Sequence, residues 1–518
     1  MMNHAPAVTT DQAVRDWLAT FGAPGADAAA LLVDRHDPAA VAFTTIDTDG
    51  DRLVTTDLTY GDLAERSRRF ATALAARGVG RGDTVGVLMG KRAELVIALL
   101  AIARLGAVYV PLFTAFATPA IALRLRAAGT TVVVTEPGQV DKLDGLDVAT
   151  IVAGPEFDAL VADSAPMPGS VAVGGDGTLI LLFTSGTTGT PKGVPVPVRA
   201  LAAFSCYMTY GLDVAEDDVF WNAADPGWAY GLYYGVLGPL AVGRRNLLLR
   251  SGFSAALTAR VLAELRVTNF AAAPTVYRTL SKDPTVTGFS LRRASSAGEP
   301  LTPDVITWAR TALGTEVRDH YGQTEHGMFV NNHWHDSVRA PLVPGSMGTA
   351  MPGFRTGVVD GQIAIDVAAS PLLFFTGYLD APDRTAARFT RDRAWYLTGD
   401  TGHTDDEGRF YFTARDDDVI IMAGYRIGPF EVESVLITHP AVTDVAVVGR
   451  PDALRGEVVE AFVVLAPGVP PGDELIRELQ DSVKTGFAAH AYPRAVHFVD
   501  ELPKTPSGKI QRYLLRRR

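Results

Sequence analysis

The chain has 518 residues, 47% of them hydrophobic, and a formal net charge of -11; that length and apolar fraction exclude one small domain and suffice for a large core or several. The acidic balance argues against general affinity for nucleic acid or anionic lipid, so no nucleic-acid partner is expected. The single cysteine, Cys206, excludes an intrachain disulfide framework and a cysteine-rich metal site, and suits a reducing, cytoplasmic compartment.

In chain order, residues 1–10 carry no basic stretch followed by an apolar run, and the apolar stretch 95–103 stops at Arg104. No leader and no membrane anchor are expected. Residues 63–77 have helical periodicity, 84–89 read as strand, 93–105 as helix and 108–112 as extended chain. The alternation recurs at 132–135, 179–183, the helical 258–265 and the strand-like 270–273, which predicts α/β layers. From about 345 to 414 the chain turns strand-rich, with Asp360-Gly361 placed for a tight hairpin inside 358–366. A smaller β unit is expected there. After Asp418 come a short strand, a helix at 429–438 and strands at 442–448 and 458–465, with a turn-rich surface loop at 467–472. This predicts a boundary near Asp417, between residues 1–416 and 417–518.

The most informative segment directly follows the strand 179–183: Thr184-Ser185-Gly186-Thr187-Thr188-Gly189-Thr190-Pro191-Lys192-Gly193. Glycines let backbone N–H groups turn toward phosphate oxygens, hydroxyls add donors, and the lysine adds positive charge. The spacing is not that of a Walker loop, so P-loop hydrolysis is not expected. Two histidines in Asn332-His333-Trp334-His335-Asp336 lack the further ligands or helical spacing of a metallohydrolase, and no Gly-x-Ser-x-Gly elbow marks a serine hydrolase.

The segment resembles the phosphate-binding loop of the adenylate-forming superfamily, which includes acyl-CoA synthetases, luciferases and peptide-synthetase adenylation domains. Six further motifs occur in that family's order and span most of the chain. Ser296-Ala297-Gly298-Glu299-Pro300 resembles its adenine-contacting stretch, Tyr321-Gly322-Gln323-Thr324-Glu325 its motif between nucleotide and acyl group, and Tyr396-Leu397-Thr398-Gly399-Asp400 its ribose motif. Arg415-Asp416-Asp417-Asp418 is similar to its hinge, Gly424-Tyr425-Arg426-Ile427-Gly428 to the stretch that follows, and residues 503–512 to its terminal lysine motif. The closest resemblance is to medium-chain acyl-CoA synthetases and acetyl-CoA synthetase-like enzymes.

The resemblance implies a large N-terminal α/β domain with a β-rich subdomain, and a small mobile α+β C-terminal domain that rotates about Asp417 between two half-reactions. It implies ATP and coenzyme A as cosubstrates, Mg²⁺ as cofactor and a carboxylic acid as substrate. Thr184, Ser185, Gly186, Thr187, Thr188, Gly189 and Lys192 would hold phosphate, and Gly298, Glu299 and Pro300 adenine. Tyr321 could stack on adenine, and the Thr324 hydroxyl could reach phosphate or the acyl carboxylate. Glu325 suits a hard cation bridged to phosphate. Asp400 offers two acceptors to ribose hydroxyls, with Arg415 reaching ribose or phosphate. Gly424 would admit the pantetheine arm and Arg426 would reach phosphate. Lys509 would stabilise the charge that develops as carboxylate attacks the α-phosphate; its acylation would abolish that charge, so a lysine acyltransferase or deacylase is an expected partner.

Trp228, Ala229, Gly231 and Gly322 are the candidate pocket residues. Acetate enzymes commonly carry tryptophan where this chain has Gly322, so acids longer than acetate are expected. Only nine residues follow Lys509, without a carrier segment, which favours free coenzyme A as acceptor. A stand-alone ligase loading a carrier protein, or an inactive nucleotide-binding regulator, are the alternatives. Two departures bear on the site: Ala414 stands where the family has glycine, and the loop within 358–363 is short.

Overall fold

The helix Ala93–Arg104 is apolar almost all round, and every residue from Leu95 onward is buried. Such a helix needs cover on all sides. Its last residue, Arg104, is buried with a two-pronged ion pair to Asp34 at 2.8 and 2.9 Å and a bond to Ser67 Oγ. The computed structural model describes residues 9–184, 191–415, 418–422, 425–452, 455–488, 490–504 and 510–517, giving only the backbone at residues 425, 426 and 456.

Among the described residues the strands form three sheets. One has six strands in the spatial order Ala149–Val152, Val132–Thr135, Thr84–Leu88, Val108–Pro111, Thr178–Thr184 and Lys192–Pro197. All its pairs are parallel except the last. The Val-rich run at 132–135 is buried throughout, as a strand covered on both faces requires. The largest sheet has thirteen strands. Its parallel centre comprises Val317–Gln323, Arg293–Ala297, Asn269–Ala272, Phe220–Asn222, Asn246–Leu249 and Val41–Asp49, in that order.

The strand-rich stretch of the sequence continues this large sheet instead of standing apart. Ser346–Ala350 pairs antiparallel with Gly327–Asn331, and Phe410–Arg415, Trp395–Thr404, Gln362–Asp366 and Thr356–Val359 follow outward. The tight turn falls at Asp360 and Gly361, with φ of 51° and 78°. That is the primed geometry that matches strand twist. The opposite edge, the hairpin of Val41–Asp49 with Arg52–Thr59, is absent from the sequence reading, as are the helices Thr10–Phe21 and Asp473–Gly486.

The third sheet lies wholly beyond residue 418. Tyr425–Ile427, Ile420–Met422, Gly456–Leu465 and Val442–Asp452 are antiparallel neighbours, and Ala495–Phe498 adds a parallel strand. Helices Pro429–Leu436 and Asp473–Gly486 contribute Val432, Leu436, Leu479 and Val483 to its separate core. A small C-terminal domain thus stands beside a large N-terminal domain of sheets. Lys282 Nζ donates across to the Thr443 carbonyl at 2.9 Å.

Candidate active site

Four neighbouring parallel strands decide where the motifs meet. Phe220–Asn222, Asn269–Ala272, Arg293–Ala297 and Val317–Gln323 run the same way. Their C-terminal ends therefore share one edge, the usual crevice of a parallel sheet. Trp228 lies beyond the first strand, Gly298 follows the third, and Tyr321 to Gln323 end the fourth. Gly298 has φ of +109°, a conformation that favours glycine. A Cβ there would sit 3.4 Å from Trp228 Cη2, so the indole lies against the adenine motif. Glu299 is held by Arg278, whose Nη2 donates to Oε1 at 2.7 Å.

The expected phosphate loop joins two antiparallel strands, with Thr184 opposite Lys192. Ser185, Gly186, Thr187, Thr188 and Gly189 lie outside the described residues. Lys192 is half-buried, and its ammonium lies 5.1 Å from the centre of the Tyr378 ring. Burial and the nearby Arg388 charge lower its pKa, against an opposing pull from Glu325.

Glu325 is buried and its Oε1 accepts from the Tyr378 hydroxyl at 2.7 Å. Its Oε2 has no hydrogen-bond partner among the described residues. Arg388 Nε donates to the Tyr378 oxygen at 3.0 Å, and its Nη1 to the Thr398 carbonyl at 3.0 Å. No group of three or more His, Cys, Asp or Glu side chains suited to a metal occurs among the described residues. A cation at Glu325 would therefore draw its other ligands from phosphate and water, which is the habit of Mg²⁺. Beside Glu325, the Thr324 carbonyl accepts from Tyr233 at 3.0 Å, and the Thr324 hydroxyl makes no bond to a described residue.

The nucleotide and ribose motifs are locked together. Tyr321 donates its hydroxyl to Asp400 Oδ2 at 2.6 Å, and Gln323 Nε2 donates to the same oxygen at 2.6 Å and to the Thr398 carbonyl at 2.9 Å. Arg415 Nε lies 3.6 Å from Asp400 Oδ1, its strand pairing Arg415 opposite Asp400. Burial, reinforced by the Asp400 charge, drives the Tyr321 pKa far upward, so the phenol stays protonated as the donor. Ala414 is accommodated: its side chain is buried and its carbonyl accepts from Thr401 Oγ1 at 3.0 Å.

At two candidate pocket positions other backbone crowds the glycine. A Cβ at Gly322 would stand 2.2 Å from the Gly327 carbonyl oxygen and 2.7 Å from Met328 Cα. The register shift between Tyr321 and Gly322 presses the two strands together there. Glycine at 322 thus permits this close strand contact. Gly231 is buried, and its Cβ would meet the Asp225 carbonyl oxygen at 2.1 Å; it packs the helix Ala229–Leu232 on its own leading turn. Trp228 and Ala229 remain at the site edge, on a turn where Gly227 N donates to Asp225 Oδ1 and Lys91 Nζ donates to the Ala223 carbonyl, both at 2.7 Å.

Gly424, Asp417 and Lys509 lie outside the described residues, and Arg426 is described only as backbone, opposite Ile421. The sequence reading misses Tyr378, Arg388, Arg278 and Asp319. The first two lie more than fifty residues from Glu325 in the chain, and no spacing rule connects them to it. Asp319, two residues before Tyr321, stands between Arg318 and His320 in the strand Val317–Gln323, where no local pattern sets it apart. Its Oδ2 accepts from Leu301 N at 3.2 Å, its Oδ1 is buried without a partner, and burial raises its pKa to about 8.

Comparison with known proteins agrees with this arrangement. The family model described as AMP-binding enzyme matches residues 33–366, and that of the AMP-binding enzyme C-terminal domain matches residues 431–509. The chain is 36% identical over 490 residues to acetyl-coenzyme A synthetase of Bacillus subtilis, covering 88% of this chain and 84% of that one. It is 35% identical over 511 residues to the mitochondrial acyl-coenzyme A synthetase ACSM3 of Mus musculus, covering 92% and 86%. The crystal structure of a Brucella canis acyl-CoA synthetase superposes with a TM-score of 0.75 at 44% identity, covering 97% of this chain and 96% of that one.

Proposed function

The chain belongs to the AMP-binding enzyme family, and on that premise we propose that it is an AMP-forming acyl-CoA synthetase. A carboxylate oxygen attacks the α-phosphorus of ATP, the bond to the β-phosphate bridging oxygen breaks, and acyl-adenylate and pyrophosphate form. The thiol sulfur of coenzyme A then attacks the acyl carbon, expelling AMP and losing its proton. The carrying observation is that Lys192, from the six-stranded sheet, and Glu325 both meet Tyr378, which Arg388 ties to the Thr398 carbonyl beside the Tyr321–Asp400 pair. A cation, a carboxylate with one unshared oxygen and a buried two-oxygen acceptor linked in this way support the reading. Relatives named acetyl- and acyl-coenzyme A synthetases support the thiol acceptor.

Mg²⁺ fits the unshared oxygen of Glu325, where it would supply charge neutralisation on the phosphates. Lys509 is assigned to the adenylation step, and a lysine acyltransferase acting on it would silence that step. The hinge is assigned to Asp417, since the large sheet ends at Arg415 and the small one begins at Ile420. The substrate class is a short- to medium-chain or aromatic carboxylate. Apolar walls separate homologous acids by only about 1–3 kcal/mol per methylene, so the selectivity is graded. A cytoplasmic setting matches the lone, buried Cys206; among the described residues no helix is long and apolar enough to cross a membrane.

Purified protein with ATP, Mg²⁺, coenzyme A and a panel from acetate to dodecanoate plus benzoate, followed by mass spectrometry, tests this reading. Acyl-CoA with AMP is the expected result. Acyl-adenylate without acyl-CoA moves the acceptor to a carrier protein, and no turnover across the panel refutes the synthetase.

A further inference from the structure

We propose that Tyr378 and Arg388 are positioning residues for adenylation, holding Glu325 so that its second carboxylate oxygen faces the cation on the ATP phosphates. The inference rests on the reading of the site as an adenylating one. The direction of each hydrogen bond follows from chemistry. Carboxylate and guanidinium are an obligate acceptor and an obligate donor. The Tyr378 hydroxyl therefore gives its proton to Glu325 Oε1, at 2.7 Å, while its oxygen receives the Arg388 Nε proton at 3.0 Å. This arrangement has no alternative polarity. Glu325 is buried, and the bond leaves Oε2 as the oxygen without a partner among the described residues.

Each member is fixed from a second side. Tyr378 N accepts no freedom from its loop, because it donates to Thr385 Oγ1 at 2.9 Å. The ring lies 5.1 Å below the Lys192 ammonium and edge-on to Phe375. Arg388 Nη1 binds the Thr398 carbonyl, which also accepts from Gln323 Nε2. One hydrogen-bonded chain thus ties the Glu325 carboxylate to the Thr398-Gly399-Asp400 segment of the strand Trp395–Thr404. Fixing a ligand carboxylate through its other oxygen is how outer partners tune metal affinity.

The test uses the full-length enzyme, Mn²⁺ as the cation probe and a non-hydrolysable ATP analogue. Tyr378→Phe keeps the ring and its contacts and deletes only the hydroxyl. Free Mn²⁺, read by electron paramagnetic resonance, is expected to show about tenfold weaker cation binding in the ternary complex. The Mg²⁺ concentration that half-activates pyrophosphate exchange rises by a similar factor. The KM for the carboxylate, and thioester formation from supplied acyl-adenylate, stay within twofold. Arg388→Met gives the same pattern, and Arg388→Lys, which keeps the charge but lacks the Nε donor, does not restore it.

Unchanged Mn²⁺ binding in Tyr378→Phe overturns the proposal. So does an equal loss in both half-reactions, or failure of both Tyr378→Phe and Arg388→Met to fold, since each makes the pair structural. If the wild type binds Mn²⁺ with the analogue and Tyr378→Phe weakens it, yet no acid is turned over, the positioning role stands and the synthetase reading falls.

Discussion

Gly322→Ala separates two readings of the site. A methyl at that position would lie 2.2 Å from the Gly327 carbonyl oxygen and 2.7 Å from Met328 Cα, both backbone atoms of the adjoining strand. Backbone cannot swing aside as a side chain does, so Val317–Gln323 and Gly327–Asn331 must separate. Overpacking of this kind costs about 1–3 kcal/mol, a shift of a few degrees in melting midpoint for a domain this large. Because Tyr321 and Gln323 flank the position and both bind Asp400, the displacement disturbs the nucleotide site itself. The assay pairs thermal melts with kcat/KM across the acid panel. A lowered midpoint with a similar proportional loss for every acid is expected. An unchanged midpoint with selective loss of the longer acids would refute the reasoning, for it would mean that the new side chain points into an open acyl pocket.

Asp400→Asn should raise the KM for ATP by about tenfold or more in pyrophosphate exchange, because an amide that keeps its one oxygen on Tyr321 and Gln323 turns its NH₂ toward Arg415 and loses both the second acceptor and the negative charge. Asp319 keeps its proton up to about pH 8 in the folded protein, chiefly through burial, whereas the unfolded chain releases it near pH 4. Between those values the native state binds the extra proton, so this group's contribution to stability falls as pH rises; denaturant melts of Asp319→Asn should show a flatter slope over that window. Burial holds His320 and His326 at about 3 and His333 at about 4, so unfolding takes up protons below about pH 6.5. Stability should therefore fall with acidification from there, by on the order of 1 kcal/mol per pH unit for each group, and glutamine at these positions should blunt the loss in melts at pH 7 and 5.

Sequence determined whatever is local. Helix and strand periods, the Asp360-Gly361 turn and the hydroxyl- and glycine-rich loop are written in neighbouring residues, because backbone conformation and anion-binding chemistry act over a few positions. Motif order named Tyr321, Asp400, Glu325 and Lys192 as candidates, and the structure joins Tyr321 to Asp400 and brings Glu325 and Lys192 to Tyr378. The edge hairpin from Val41 to Thr59 was not legible, since its mixed polar faces follow from what the sheet edge covers. Tertiary structure alone decided that a tyrosine and an arginine more than fifty residues downstream hold Glu325. It also showed that Gly322 and Gly231 are glycines because other backbone lies within 2.2 and 2.1 Å of their missing Cβ atoms. Close approach and hydrogen-bond direction depend on three-dimensional distance between remote segments, a quantity that no local pattern of residues encodes.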